Sequence, residues 1–199
     1  MKTIRLLYPD HVSGGLEAYY FGAHLLTHIL PQNERQPLVK VDIAPPDHKE
    51  KEVEEGIYAR EKVLAGIEDA AKKIEGEKPD RIITIGEFLN DIGVDYKVQE
   101  ETFVPDHEIL EFVKKFEHIL VHLDVDVLDE HFFHPTYFAD PELRGDGSGG
   151  GKMTIEKLTE VLGLITKNAD VAGFTIAEYL PFDEYKLHKM FSGISLFIE

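Results

Sequence analysis

From Ile119 to Val125 the chain reads Ile-Leu-Val-His-Leu-Asp-Val, an apolar run of strand length that turns acidic at its end. A near-continuous apolar run suits a strand buried within a parallel sheet. Strand side chains alternate between faces, so this spacing sets His122, Asp124 and Asp126 on one face. Such groups repel or compete unless a cation sits among them. A divalent metal is the natural occupant, because carboxylate oxygens and imidazole nitrogens suit manganese, zinc or magnesium. The plainer alternative is that an aspartate at a strand end caps the next turn, and Asp129 is expected to cap the turn after Leu128. His122 lies deeper in the strand and is expected as a hydrogen-bonded core histidine.

The rest of the chain alternates strands with helices. Thr3–Tyr8 reads as a strand stopped by Pro9, and Glu17–Leu30 as a helix ending before Pro31. Pro37–Ile43 is a second strand, closed by Pro45-Pro46. Asp47–Glu55 is a charged loop or helix start. Tyr58–Glu75 reads as an amphipathic helix with Val63, Ile67, Ala70 and Ile74 on one face. Asp80–Gly86 is a third strand and Tyr96–Glu101 a weak fourth. Asp106–Phe116 is a helix that precedes the acidic strand. Thr154–Thr166 is a helix capped by Thr154, Val171–Leu180 the last strand, and Phe182–Phe197 a closing apolar segment. This order predicts a three-layer αβα fold with a mostly parallel sheet, in a single domain over residues 1–199. In such sheets functional groups gather beyond the carboxyl ends of the strands, where Gly86, Asp124, Asp126 and Glu178 lie.

Composition narrows the functional classes. A formal net charge of −17 argues against nucleic acid and anionic membranes as partners, because phosphates require Lys and Arg to replace their counterions. The absence of cysteine excludes disulfides, thiolate metal sites and cysteine nucleophiles. No apolar stretch reaches membrane-spanning length, and the first residues are too charged for a signal peptide, so a cytoplasmic location is expected.

Two further segments bear on chemistry. Glu178 ends an apolar strand, where an unpartnered carboxylate is costly to bury. It either forms a surface ion pair or grips a planar guanidinium, which carboxylates bind through paired hydrogen bonds. Gly145-Asp-Gly-Ser-Gly-Gly-Gly-Lys152 suggests a phosphate loop, but Asp146 and Met153 stand where that motif needs Gly and Ser or Thr. A flexible turn entering the Thr154 helix is the simpler account. His107, His118, His131, His134 and His188 lack metal-ligand spacing and are expected at the surface.

Several of these segments together resemble the ureohydrolases, the arginase and agmatinase superfamily. Val121-His-Leu-Asp-Val-Asp-Val-Leu-Asp129 is similar to the family's third metal motif. Gly149-Gly-Gly-Lys-Met-Thr-Ile-Glu156 resembles its Gly-Gly-Leu-Thr-x-x-Glu segment, and Val171-Ala-Gly-Phe-Thr-Ile-Ala-Glu-Tyr-Leu-Pro181 its last strand. Tyr8-Pro9 and Tyr20-Phe-Gly-Ala-His-Leu-Leu26 are similar to bacterial arginase-like members.

The resemblance implies a binuclear manganese site in which Asp124 bridges both ions and Asp126 binds one. A hydroxide held there attacks a guanidino carbon and urea leaves, while Glu178 contacts the substrate cation. Two metals lower the pKa of a shared water enough to make a nucleophile near neutral pH. The resemblance also marks a departure. A strand like Arg81–Gly86 should continue into Gly-Asp-His or Gly-Asn/Asp-Cys, with Asp-Ala-His-x-Asp later, and neither occurs. A central segment with the first two metal motifs is thus expected to be missing at the junction of Gly86 and Glu87. The Pro-Gly-rich stretch that follows the acidic motif in common members is replaced by Glu130-His-Phe-Phe-His-Pro-Thr-Tyr137. The expected activity is an impaired arginase-like hydrolase of small guanidino compounds. The alternative is a non-catalytic α/β protein of the same ancestry, retained for binding or for assembly as a homo-oligomer.

Overall fold

The computed structural model describes residues 2–7, 17–41, 69, 72–73, 80–85, 103–134, 151–181 and 184–199. Among the described residues five strands form one sheet: β1 (Thr3–Leu7), β2 (Leu38–Lys40), β3 (Arg81–Ile85), β4 (Ile119–Asp124) and β5 (Val171–Ala177). Their order is β2-β1-β3-β5-β4, and every neighbouring pair is parallel. Parallel neighbours need crossover connections, and helices alternate with the strands: α1 (Glu17–Ile29) follows β1, α2 (Asp106–Val113) precedes β4, α3 (Ile155–Asn168) precedes β5, and α4 (Glu184–Ser192) and α5 (Ser195–Ile198) follow β5. The α/β class and the parallel sheet expected from the alternation are therefore present. Asp69, Lys72 and Lys73 are helical and exposed, with Lys73 paired to Asp69 at 2.8 Å, as expected for the polar face of the helix over 58–75. The expected strand Tyr96–Glu101 and the Gly86–Glu87 junction lie outside the described residues.

One face of the sheet carries the main core. Leu7, Leu123, Phe174 and Ile176 point into a cluster with Ala23, Leu26 and Ile29 of α1, Leu158 and Leu162 of α3, Leu187 and Phe191 of α4, and Phe197 of α5. Phe174 and Phe191 both meet Phe197 edge-on, at 5.2 and 4.9 Å between ring centres. The same cluster explains why α3 is amphipathic: Leu158 and Leu162 recur four residues apart on one stripe. Thr154 starts that helix by accepting a hydrogen bond from the Lys157 amide at 3.2 Å.

The opposite face is covered unevenly. Ile4, on that face of β1, is fully buried, whereas Leu120 on β4 is 81% exposed and His122 is exposed beside it. His122 is therefore not the hydrogen-bonded core residue expected from its depth in the strand. Among the described residues β4 ends the sheet, and nothing packs over the face that His122 shares with Leu120.

Candidate functional site at the strand ends

β4 and β5 run side by side and finish together. Asp124 is in register with Ala177, so Glu178 stands one residue beyond Asp124's direct neighbour. This places two half-buried carboxylates at adjacent carboxyl ends, the location where parallel sheets collect ligand-binding groups. Desolvation raises the Asp124 pKa above the usual carboxylate range, and the charge of Glu178 raises it further. A hydrogen bond from the Asp126 amide and the nearby His122 oppose that shift.

The backbone at Glu178 is unusual. Its φ is 60°, the one non-glycine residue with positive φ among the described residues. A side-chain-bearing residue in the left-handed region is held there by its surroundings, and such positions concentrate at functional sites. The surroundings here are identifiable. Tyr179 is 2% exposed and Leu180 is buried, which anchors the chain immediately after Glu178. Helix α1 presses on the same segment: a Cβ at Gly22 would lie 1.9 Å from the Tyr179 carbonyl oxygen. Only glycine permits that approach. The turn at Glu178 also explains why β5 stops at Ala177 and does not continue to Leu180, as its apolar pattern suggests. Gly22 is thus a positioning residue for the site. Its signal in the sequence is a glycine inside a helical pattern, which a packing reason usually explains.

Asp126 does not lie where strand alternation sets it. β4 ends at Asp124, and Val125–Val127 form a turn of 3-10 helix. Asp124 caps this turn, its Oδ1 accepting from the Asp126 amide at 2.8 Å. The plainer reading of an aspartate at a strand end therefore holds for one oxygen of Asp124. Asp129 behaves as expected: its Oδ1 accepts from the His131 amide at 2.9 Å and pairs with His131 Nδ1 at 2.8 Å. These bonds hold the Asp129 carboxyl below its ordinary pKa. His118 is paired with Asp170 at 2.8 Å, and His188 Nδ1 donates to the Ile29 carbonyl at 2.6 Å, tying α4 to α1.

The end of the glycine-rich stretch is bound to the acidic segment. Gly151 donates to the Asp126 carbonyl at 2.7 Å, Met153 to Val127 at 3.1 Å, and Asp129 to Met153 at 2.9 Å. A Cβ at Gly151 would sit 1.9 Å from the Val127 carbonyl oxygen. Gly151 is thus required for this ladder and is not simply a flexible entry to α3. Residues 144–150 lie outside the described residues.

The residues can be tested against the binuclear manganese centre that the resemblance implies. Two coordination spheres need many donors, and among the described residues no three His, Asp or Glu side chains gather closely enough to hold even one ion. One Asp124 oxygen is already engaged by an amide. The described residues do not fit a two-metal centre. What they offer is an acidic pair, Asp124 and Glu178, at adjacent strand ends. A cavity of about 1060 Å³ runs along α3 past Asp129, Met153, Gly163 and Tyr185, but neither Asp124 nor Glu178 lines it. No helix among the described residues is long and apolar enough to cross a membrane.

No protein-family model and no curated protein matches the sequence. Among solved structures, the chain is similar to a putative agmatinase from Clostridium difficile, with 13% identity, TM-score 0.45, 96% of this chain and 92% of that one covered. It is also similar to an arginase from Helicobacter pylori, with 12% identity, TM-score 0.29, and coverage of 96% and 63%. A formimidoylglutamase from Bacillus subtilis subsp. subtilis str. 168 matches with 16% identity, TM-score 0.27, and coverage of 98% and 53%. The chain thus spans 63% of that arginase and 53% of that formimidoylglutamase. Likenesses this loose carry no functional argument.

Proposed function

We propose that this chain is an arginase-like relative of the ureohydrolases that binds a small guanidino cation between Asp124 and Glu178, with hydrolysis impaired. The observation that carries this reading is the neighbouring pair of half-buried carboxylates at adjacent strand ends, one on a backbone held at positive φ. Two close carboxylates each favour a cation, and a planar guanidinium can satisfy both at once through its fork of N–H donors. Glu178 supplies the main contact and Asp124 the second charge. In the family, manganese would supply the activated water that attacks the guanidino carbon, with Asp124 and Asp126 among its ligands. The first two metal motifs of the family do not occur in the sequence, and this reading therefore takes binding without efficient turnover.

Calorimetric titration with agmatine and with L-arginine, each with and without manganese, tests this. Binding heat is expected without metal, and Glu178→Gln weakens it at least about tenfold. Urea release stays at background. Equal affinity of the variant, or no heat with either ligand, overturns the binding assignment. Efficient urea release with manganese would overturn the impairment and leave the ancestry stronger.

A further inference from the structure

The two edges of the sheet differ. β2 is short, follows Pro37 and carries Lys40, all features that discourage further strand pairing. β4 is six residues long with neither proline nor lysine, and its outward Leu120 is 81% exposed. Among the described residues no strand pairs with its outer edge. Ile119 turns its amide inward, donating to the Asp170 carbonyl at 2.8 Å. Alternate residues therefore turn their backbone groups outward, which leaves the N–H and C=O groups of Leu120, His122 and Asp124 along the open edge.

We propose that a second copy of this chain pairs with this edge, β4 antiparallel to β4, with Val121 opposite Val121 of the partner subunit. Charge and strand overlap together select this register: an axis through Leu123 would also oppose His122 to the partner's Asp124, but it would pair only the last residues of β4. A two-fold axis through Val121 sets Leu120 opposite the partner's His122, so that outward backbone groups meet outward backbone groups. The same register sets His118 opposite the partner's Asp124, and Asp124 opposite the partner's His118. Its two neighbours are worse. Centring on Leu120 opposes His118 to the partner's His122, and centring on His122 opposes that histidine to itself while leaving Asp124 against the partner's Leu120. His118 has a largely exposed ring whose Nδ1 pairs with Asp170, which leaves Nε2 as the atom to meet a second carboxylate. The outcome is one continuous sheet through both copies, with two histidine–aspartate pairs at the junction. Phe112 and Phe116 are exposed, pack 5.2 Å apart and lie on the segment leading into β4.

Light scattering after size exclusion, across a concentration series of the full chain, should show a dimer. Leu120→Lys should give a monomer with unchanged far-UV circular dichroism, because that side chain touches little of its own chain. Since the sequence has no cysteine, single-cysteine variants report the register directly. Val121→Cys should crosslink to itself under mild oxidation, its α carbons about 4.5 Å apart across a non-hydrogen-bonded pair. Leu120→Cys and His122→Cys should crosslink poorly. A wild-type monomer at all concentrations overturns the proposal, as does a dimer untouched by Leu120→Lys or a crosslink centred elsewhere. A monomer whose β4 amides exchange slowly would mean that another segment of this chain covers the edge, and overturns it equally.

Discussion

Asp124 carries two opposed demands on one side chain. One oxygen caps the turn that follows β4, which favours the charged form, while burial and the neighbouring Glu178 disfavour it. The net effect is a folded-state pKa above the ordinary carboxylate value, so the ionised group costs stability at neutral pH. As pH falls through that raised pKa, the carboxyl takes up a proton and the cost disappears. Asparagine keeps the capping oxygen without the charge. In the presence of a chelator, Asp124→Asn should therefore melt at a higher temperature than the wild-type chain at pH 7. The gap should close as the pH is lowered toward the acid range. Thermal melts followed by circular dichroism at several pH values check this; a variant less stable than wild type at neutral pH would mean that the cap outweighs burial and repulsion.

Single elements were legible where local pattern decides them. The β-branched run Arg81–Ile85 and the apolar spacing of α1 and α3 place those elements within a residue or two of where they lie. Element ends were less legible, because they depend on contacts far along the chain. β5 stops at Ala177 because α1, through Gly22, and the buried Tyr179 hold the next residue in a turn. β4 stops at Asp124 because Gly151 and Met153 take up the backbone of residues 126 and 127. The pairing of Asp124 with Glu178 rests on strand order, which local periodicity does not encode. A buried polar link between elements was also hidden. Arg5 of β1 is 5% exposed and donates to Gln36 Oε1 from Nε at 3.0 Å and from Nη2 at 2.9 Å. It also reaches the Phe197 carbonyl at 3.2 Å, while Gln36 Nε2 donates to the Leu196 carbonyl at 3.0 Å. A buried guanidinium is thus satisfied by an amide and by a carbonyl of α5. Gln36→Ala leaves it underbonded, and should destabilise the fold by about 1–3 kcal/mol in urea unfolding. A loss well below that range would mean that water reaches Arg5 and replaces the amide.

Across the whole molecule, 38 acidic residues face 21 Lys and Arg, a formal net charge of −17. Compaction brings these charges closer together than in the unfolded chain, so self-repulsion works against the folded state. Its reach depends on salt: screening acts over about 30 Å at 0.01 M and about 8 Å at 0.15 M. The melting temperature should therefore rise as sodium chloride is raised through this range, then level off once distant carboxylates no longer sense one another. The same repulsion governs association of two copies. Two strongly acidic chains repel during approach, whereas the paired His118 and Asp124 attract only at short range. If the net charge dominates, the dimer tightens with added salt; if the local pairs dominate, it loosens. With an imbalance of this size on each copy, repulsion between whole molecules sets the salt dependence, while the local pairs fix the register. Sedimentation equilibrium at increasing sodium chloride should accordingly show a falling dissociation constant. A rising one would place the attraction between complementary charges at the junction above the repulsion between whole molecules.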